Sequence, residues 1–482
     1  MKTPGEKKTD ILLILIMFMV SVTLYRAAGI SFTEDNATLW QVADTALLKN
    51  SLLETLFYQH SQPPLFNLMT GLLLKTGFFD IPAYTVFLSM SFGLCVLVYR
   101  IQRLLGTGRK IGLAVTALFV FSPPLILYTH WYFYTLPAAF LLTLSVYILF
   151  FAVKSGKRSY FLMFFLTIAA LSLLRSLFHL IYIPAVLLLI IRLVPKKRNI
   201  LITAFVLPFI LVSSFYLKNL LLYGKFSASS WSGMNLWTMT TGNLDKQNLR
   251  SLYNAGEISE ISLIKRFSEP GKYPDKYHHI PDKFKKIDIL SQRRKKNGFV
   301  NYDYYPYIAI SEKYSEDAVK VFLRRPFTLI KGLGRSWFGY FKSASDYGYL
   351  FKNSEEIQPA VNLYDYFLYG KIPLNLTKYD FLPIRSGRRH YFYLFLFLGL
   401  PLLYCYVIRS YINGGPLENH AARTITALIL FNIAFTALVG NSFETGENNR
   451  FRFMTDPLYT ALAGYFLSDI IRKLKTGKQN AA

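Results

Sequence analysis

The chain has 482 residues, 52% of them hydrophobic and 17% aromatic, with a mean hydropathy of +0.29. That is too apolar for a soluble globular chain, and apolar runs of about 17 or more residues override the two or three soluble domains that length alone suggests. A net charge of +26 would ordinarily point to nucleic acid. Here the Lys and Arg lie between apolar runs or in one long hydrophilic stretch, which suits membrane anchoring and an anionic lipid ligand, so no nucleic-acid partner is expected.

In chain order, Lys2, Lys7 and Lys8 precede an apolar run over 11–30 with no clear small-x-small cleavage site. It reads as a retained first helix starting in the cytoplasm. The predicted spans are 10–30, 82–99, 111–127, 135–153, 159–176, 178–194, 199–217, 391–410, 423–440 and 457–472. Short basic loops at 100–110, 154–158 and 192–198, and the tail at 472–478, alternate with them; placing all four beside the N-terminus satisfies the positive-inside rule in a single registration.

Residues 31–81 then form one extracytoplasmic excursion. It holds a predicted amphipathic helix over 38–49, with Trp40 as interfacial anchor, and an apolar piece, Pro63 to Gly77, too short to span. Pro64 supplies the fixed φ favoured in its first turn. A second outside region, 218–390, is rich in Tyr, Lys, Asn, Ser and Pro and carries the basic cluster Arg293, Arg294, Lys295 and Lys296. Within it, 317–342 reads as an interfacial amphipathic helix interrupted at Pro326. The expected organisation is a membrane module over 1–217, the outside region, and C-terminal spans over 391–482. Cys95 and Cys405, the only cysteines, fall inside apolar segments, which leaves no disulfide framework and no cysteine metal site.

The notable polar residues cluster on the outside loops. Glu34 and Asp35 follow helix one directly; a carboxylate there can act as general base or cap the next helix. His60 and Gln62 close the same loop, His60 as a surface histidine or a substrate contact. His130 stands in the aromatic run Tyr128 to Tyr134, an interfacial belt that would equally suit stacking on a sugar or an isoprenoid. Arg175, between two apolar helices, can snorkel to headgroups or hold a phosphate in its planar fork. Glu447, Arg450 and Arg452 precede the last span, either as a headgroup anchor or as phosphate ligands facing Asp35. No Gly-rich nucleotide loop, HExxH or Ser–His–Asp pattern is present, and no ligand spacing supports a metal.

These residues together resemble the GT-C superfamily of membrane glycosyltransferases, closest to the protein O-mannosyltransferase and aminoarabinose-transferase type. The likeness rests on Glu34-Asp35, on Tyr58-x-His60-Ser-Gln-Pro-Pro-Leu65, on Leu217-Lys-Asn-Leu-Leu-Leu-Tyr-Gly224, and on Glu447-Asn-Asn-Arg450-Phe-Arg452 with Asp456-Pro457. Seven predicted spans precede the long loop, as in the family's shared module. Two departures stand out. The acidic pair runs Glu then Asp, which leaves open which carboxylate is the base, with Asp35 favoured over Glu34. Gln62 replaces the basic residue some relatives carry.

The resemblance implies an all-α integral membrane fold, a GT-C-type bundle of about ten spans with interfacial helices and a long extracytoplasmic loop region. It implies inverting transfer of a sugar from polyprenyl phosphate to a lipid, glycan or protein acceptor at the outer face of a cell inner membrane. No cofactor is needed, the lipid-linked sugar being the donor substrate, and no metal. Two other readings remain open: a lipid or solute transporter, and a non-catalytic assembly protein using 218–390 to bind a partner.

Overall fold

The structure is a computed structural model that describes residues 7–33, 40–374, 390–413 and 419–479. From the N-terminus, α1 (Lys8–Ala27) leads through α2 (Thr45–Asn50), α3 (Leu52–Tyr58) and α4 (Leu65–Leu74) to α5 (Asp80–Leu104). Then come α6 (Arg109–Val120), α7 (Pro123–Thr129), α8 (Thr135–Ser155), α9 (Arg158–Leu174), α10 (Tyr182–Leu193) and α11 (Arg198–Tyr223). The hydrophilic stretch builds α12 (Ser232–Met239), α13 (Lys246–Asn254), α14 (Asp288–Ser291), α15 (Tyr307–Arg324), α16 (Phe327–Tyr340), α17 (Phe351–Glu356) and α18 (Gln358–Tyr369). An antiparallel pair, β1 (Lys371–Leu374) and β2 (His390–Tyr393), sets Lys371 opposite Tyr393. The chain closes with α19 (Leu394–Ile412), α20 (His420–Phe443) and α21 (Asn448–Gln479).

Among the described residues, α1, α5, α8, α11, α19 and α20 are long and apolar enough to cross a membrane. The pair α6 and α7 makes a seventh span if its 55° bend is counted within one crossing. The bend falls at Ser122-Pro123-Pro124, where Ser122 caps α7 and the prolines lack the N–H that would continue α6. The sequence pattern predicts ten spans, and the difference lies in three helices. At about 1.5 Å per residue, α9 with 17 residues and α10 with 12 fall short of a hydrocarbon core about 30 Å thick. The 32 residues of α21 begin with Asn448-Asn449-Arg450 and end in a lysine-rich turn, which leaves only a short apolar middle.

The centre of the bundle is α8, which is apolar on every side. Its most apolar window is 72% buried, against 11% for the peripheral α19. It packs on α5, α9, α20 and α21. At one end the basic loops gather. Asp10 of α1 is buried and accepts hydrogen bonds from Arg109 Nε (2.8 Å) and Tyr99 Oη (2.7 Å). The Gly108 N–H donates to Ser468 Oγ (3.1 Å), which brings α21 to the same end.

At the other end the first loop and the 218–390 stretch form one cap. Asp303 accepts the backbone N–H groups of His60 (3.0 Å) and Ser61 (2.8 Å). Lys295 Nζ donates to the Val42 carbonyl (2.7 Å), and Asp44 accepts the N–H of Lys296 (2.7 Å). Among the described residues, the helix predicted over 38–49 begins only at α2, where Asp44 caps it by accepting from the Ala46 N–H. Trp40 lies outside that helix and stacks on Tyr302, ring centroids 5.6 Å apart. The helix predicted over 317–342 is broken at Arg325-Pro326 into α15 and α16, and α15 begins earlier, at Tyr307.

Gly233 of α12 sits directly on α15: a Cβ there would run into the Ser311 carbonyl oxygen, which is fixed backbone. Gly233→Ala is therefore expected to destabilise the cap by roughly 1–3 kcal/mol. Thermal unfolding of the solubilised protein measures this, with Gly271→Ala, which meets nothing within 4 Å, as the control.

Candidate functional site

A cavity of about 340 Å³ opens where the cap meets the bundle. Its walls are aromatic, with Trp40, Trp131, Trp231 and Phe267 among them, and its ionic groups are Arg175, Lys265, Arg266, Glu444 and Glu447. Three cations thus face two carboxylates.

Arg175 follows the last residue of α9, where an extended backbone (φ −143°, ψ 126°) turns its side chain out of the helix. It is 8% exposed. One guanidinium nitrogen donates to Gln41 Oε1 (3.1 Å) and to the Tyr134 hydroxyl, and another lies 3.6 Å from Glu447 Oε2. The guanidinium lies 4.5 Å from the centre of the Tyr134 ring. Glu447 stands between α20 and α21, pairs with Arg450 and accepts from the Tyr347 hydroxyl (3.2 Å). Burial alone would raise its pKa, but Arg450, Arg175 and Arg266 together hold it below the usual carboxylate range.

The remaining predicted residues divide. Gln62 lines the cavity. Arg450 is fully buried behind the wall, where its Nη1 donates to Tyr134 Oη (2.8 Å) and its guanidinium lies 4.9 Å from the centre of the Phe133 ring. It does not line the cavity itself and meets it through Glu447, Phe133 and Tyr347. Arg452 points elsewhere: it pairs with Asp456 (3.2 Å) beside a separate crevice between α18, α19 and α21. His60 is buried in the joint between loop and cap, its Nδ1 2.9 Å from Ser230 Oγ and its Nε2 2.9 Å from the Asp303 carbonyl. His130 is equally buried, between the Tyr84 hydroxyl (2.8 Å) and the Ile126 carbonyl (2.9 Å). Both histidines are fasteners in this arrangement. Glu34 and Asp35 lie outside the described residues. Of their neighbours, Thr33 pairs with the Trp131 strand position, donating to the His130 carbonyl (2.8 Å), and Trp40 and Gln41 line the cavity.

The sequence pattern did not single out Arg266, which meets Glu444 at 3.0 Å and Asn235 Oδ1 at 3.0 Å. Nor did it single out Phe267, which has φ of 55° and is the one non-glycine residue among those described with positive φ. A bulky residue there stores about 1–2 kcal/mol of strain. It is held by Trp231 (4.9 Å between ring centroids) and by the Tyr302 hydroxyl on its carbonyl (3.2 Å). Nothing in a Lys-Arg-Phe triplet inside a long basic stretch marks these residues; only the fold brings them to the cavity.

Three buried nitrogens of cavity-lining residues have no hydrogen-bond partner among the described residues: Trp131 Nε1, Trp231 Nε1 and Arg175 Nε. All three are donors. Buried donors are normally satisfied, so this cavity is short of acceptors. Its chemistry suits a ligand rich in oxygen and carrying negative charge.

Compared with known proteins, the chain matches no family model, and no curated protein is similar enough to count as a match.

Burial lowers the His60 pKa from 6.5 to about 4, with Asp303 opposing the shift. Its contribution to stability is complete above the unfolded value of about 6.5 and declines as pH falls toward 4, because the unfolded chain binds the proton first. The protection of the His60 and Ser61 amides, their exchange rate relative to a free chain at the same pH, is expected to weaken as pH falls across that window, and His60→Gln is expected to abolish this pH dependence.

Proposed function

We propose that the chain is an inverting glycosyltransferase of the GT-C type that moves a sugar from a polyprenyl-phosphate donor to an acceptor hydroxyl. The observation that carries this reading is the cavity's surplus of donors and cations. Arg175, Lys265 and Arg266 line one chamber with three unsatisfied buried N–H groups, at the end of a bundle of membrane-length helices. A phosphate and a sugar are the acceptors such a chamber lacks. The aromatic walls suit the apolar face of a sugar ring, and Gln41 and Gln62 offer hydroxyl partners. Thr33, two residues before Asp35, is bridged to the Trp131 wall.

On this reading Asp35 is the general base, with Glu34 as the second choice. The acceptor oxygen attacks the anomeric carbon from the face opposite the phosphate, and its proton passes to the carboxylate. The bond from anomeric carbon to phosphate oxygen breaks, and polyprenyl phosphate leaves with the electron pair. Arg175 meets the charge that develops on the phosphate, while Glu447 and Arg450 fix the position of Arg175. The leaving group is already good, so orientation and charge stabilisation carry most of the acceleration. The donor, a lipid, glycan or protein acceptor, and the membrane itself are the partners, and the active face is extracytoplasmic at a cell inner membrane.

Asp35→Asn is expected to lower transfer by about 10²–10⁴-fold, the range for losing a general base. Glu34→Gln should cost less. The test is the mass of cell-envelope glycans in cells whose only copy carries each variant. A glycan increment of normal size and abundance with Asp35→Asn removes that residue from the mechanism.

A further inference from the structure

A larger cavity, of about 590 Å³, lies in the cap between the chain that leaves α11 and one face of α15. Its size falls in the range of about 300–1,000 Å³ usual for sites that take a small organic ligand. α15 gives it two helical rows, Ser311, Ser315 and Val319 beside Glu312, Glu316 and Lys320, each residue four positions from the next. The facing wall runs from Lys225 to Gly233 and includes Ser227, Ser229, Ser230 and Ser232. At Gly233 the two walls meet, since a Cβ there would run into the Ser311 carbonyl oxygen.

The serines divide by what they already do. Ser227 Oγ donates to the Ser229 carbonyl (2.7 Å), Ser229 Oγ donates to the Ser61 carbonyl (2.6 Å), and Ser230 Oγ lies 2.9 Å from His60 Nδ1. These three hold the loop in place. The hydroxyls of Ser232, Ser311 and Ser315 make no hydrogen bond within the described residues, so both the donor and the acceptor sides of each are spare. Charge in the cleft cancels. Lys225 and Lys320 stand against Glu312 and Glu316, with Lys225 paired to Glu312 across the cleft and Glu316 paired to Lys313 (2.7 Å). An anion would therefore meet a carboxylate for every ammonium group. No aromatic ring lines the cleft, which leaves a base or aromatic ligand nothing to stack on. Ile308 and Val319 are its only large apolar side chains, too few to hold a lipid. An uncharged ligand dense in hydroxyls matches what remains.

The cleft also adjoins the site. Ser227, Ser229 and Ser232 line, besides the cleft, a crevice of about 210 Å³ that shares Arg175, Ser176, Asn235 and Glu444 with the aromatic cavity. A single loop, 227–232, thus stands between the cleft and Arg175. We infer that the cleft is a binding site for an uncharged saccharide, held by the free hydroxyls of Ser232, Ser311 and Ser315 and by the polar ends of the paired Lys and Glu side chains. That this saccharide is the acceptor, which makes the acceptor a neutral glycan and not a lipid or a protein, rests on the transferase reading; the binding site itself does not.

The probes are oligosaccharides released from the envelope of cells that carry the protein, separated into neutral and acidic fractions by anion exchange. Native mass spectrometry of the full-length protein in detergent reads which of them it retains. Ser315→Trp fills the cleft, and Ala309→Trp puts the same indole at an exposed position of α15 outside it. Wild type and Ala309→Trp are expected to retain neutral oligosaccharides, and Ser315→Trp to lose about tenfold or more in affinity. Retention of the acidic fraction in preference to the neutral one, or of neither, overturns the site, as does equal retention by the two tryptophan variants. Should Ser315→Trp fail to fold, Ser315→Cys in a Cys405→Ser background supplies the same answer: the neutral fraction should slow its alkylation, and an unchanged rate overturns the site. Neutral oligosaccharide bound in the cleft with no sugar added to envelope glycans sustains the site and overturns the transferase reading. Transfer that is lost in Asp35→Asn but undiminished in a folded Ser315→Trp protein sustains the transferase reading and removes the acceptor from this cleft.

Discussion

Glu447 holds two arginines from different parts of the chain, and the cavity has its shape because of that. Arg175 follows the last residue of α9 and Arg450 lies in the first turn of α21; the carboxylate stands between them, and both donate to the Tyr134 hydroxyl at the start of α8. Arg450 is fully buried, and removing the partner of a buried charge costs roughly 3–5 kcal/mol. The ring faces of Phe133, Tyr134 and Tyr347 lie 4.9–5.3 Å from its guanidinium and offset part of the desolvation. With Arg450 satisfied in this way, Glu447 is shared, and Arg175 is left only partly neutralised at 3.6 Å. That incomplete pairing gives the chamber its spare positive charge.

The cap adds rigidity around that charge. Asp303 pins the His60-Ser61 backbone, Lys295 reaches the Val42 carbonyl, and Trp40 stacks on Tyr302. These are bonds between the first loop and residues more than two hundred positions later in the chain. They over-determine the surroundings of Phe267, which allows a bulky residue to persist in the left-handed region. Strain of this kind collects where side chains must be aimed, and here it sits on the chamber wall.

The sequence made the class legible and the site only partly so. Apolar runs of 17 or more residues announce helices whatever their partners, because every backbone polar group in a bilayer has to be satisfied within its own segment. Pro326 was readable as a helix break for a local reason, whereas the bend at Ser122-Pro123-Pro124 fell inside one predicted span, 111–127. The number of membrane-length helices was not, because α9 and α10 are apolar throughout yet too short, and hydropathy does not see where a helix ends. Arg175 and Glu447 stood out as charges between apolar segments. Arg266, Phe267 and Trp231 did not, since their role comes from tertiary packing. The histidines show the opposite failure: His60 and His130 carry the chemistry of a site, but burial and full hydrogen bonding turn them into joints.

A last consequence concerns how a cavity built this way can bind and release. Arg175 and Arg266 are already engaged by Glu447 and Glu444, so an anionic ligand competes with carboxylates that are permanently present. On the proposed reading this tempers affinity where tight binding would be a liability. The leaving polyprenyl phosphate carries more charge than the donor, and arginines with no other partner would hold it after reaction. The two glutamates offer those arginines an alternative pairing once the product departs, so the ion pairs seen at rest are the state to which the site returns. Catalysis gains from interactions that strengthen only as charge develops, and a half-neutralised arginine can supply that difference, whereas one with no counter-charge would bind donor and product too well.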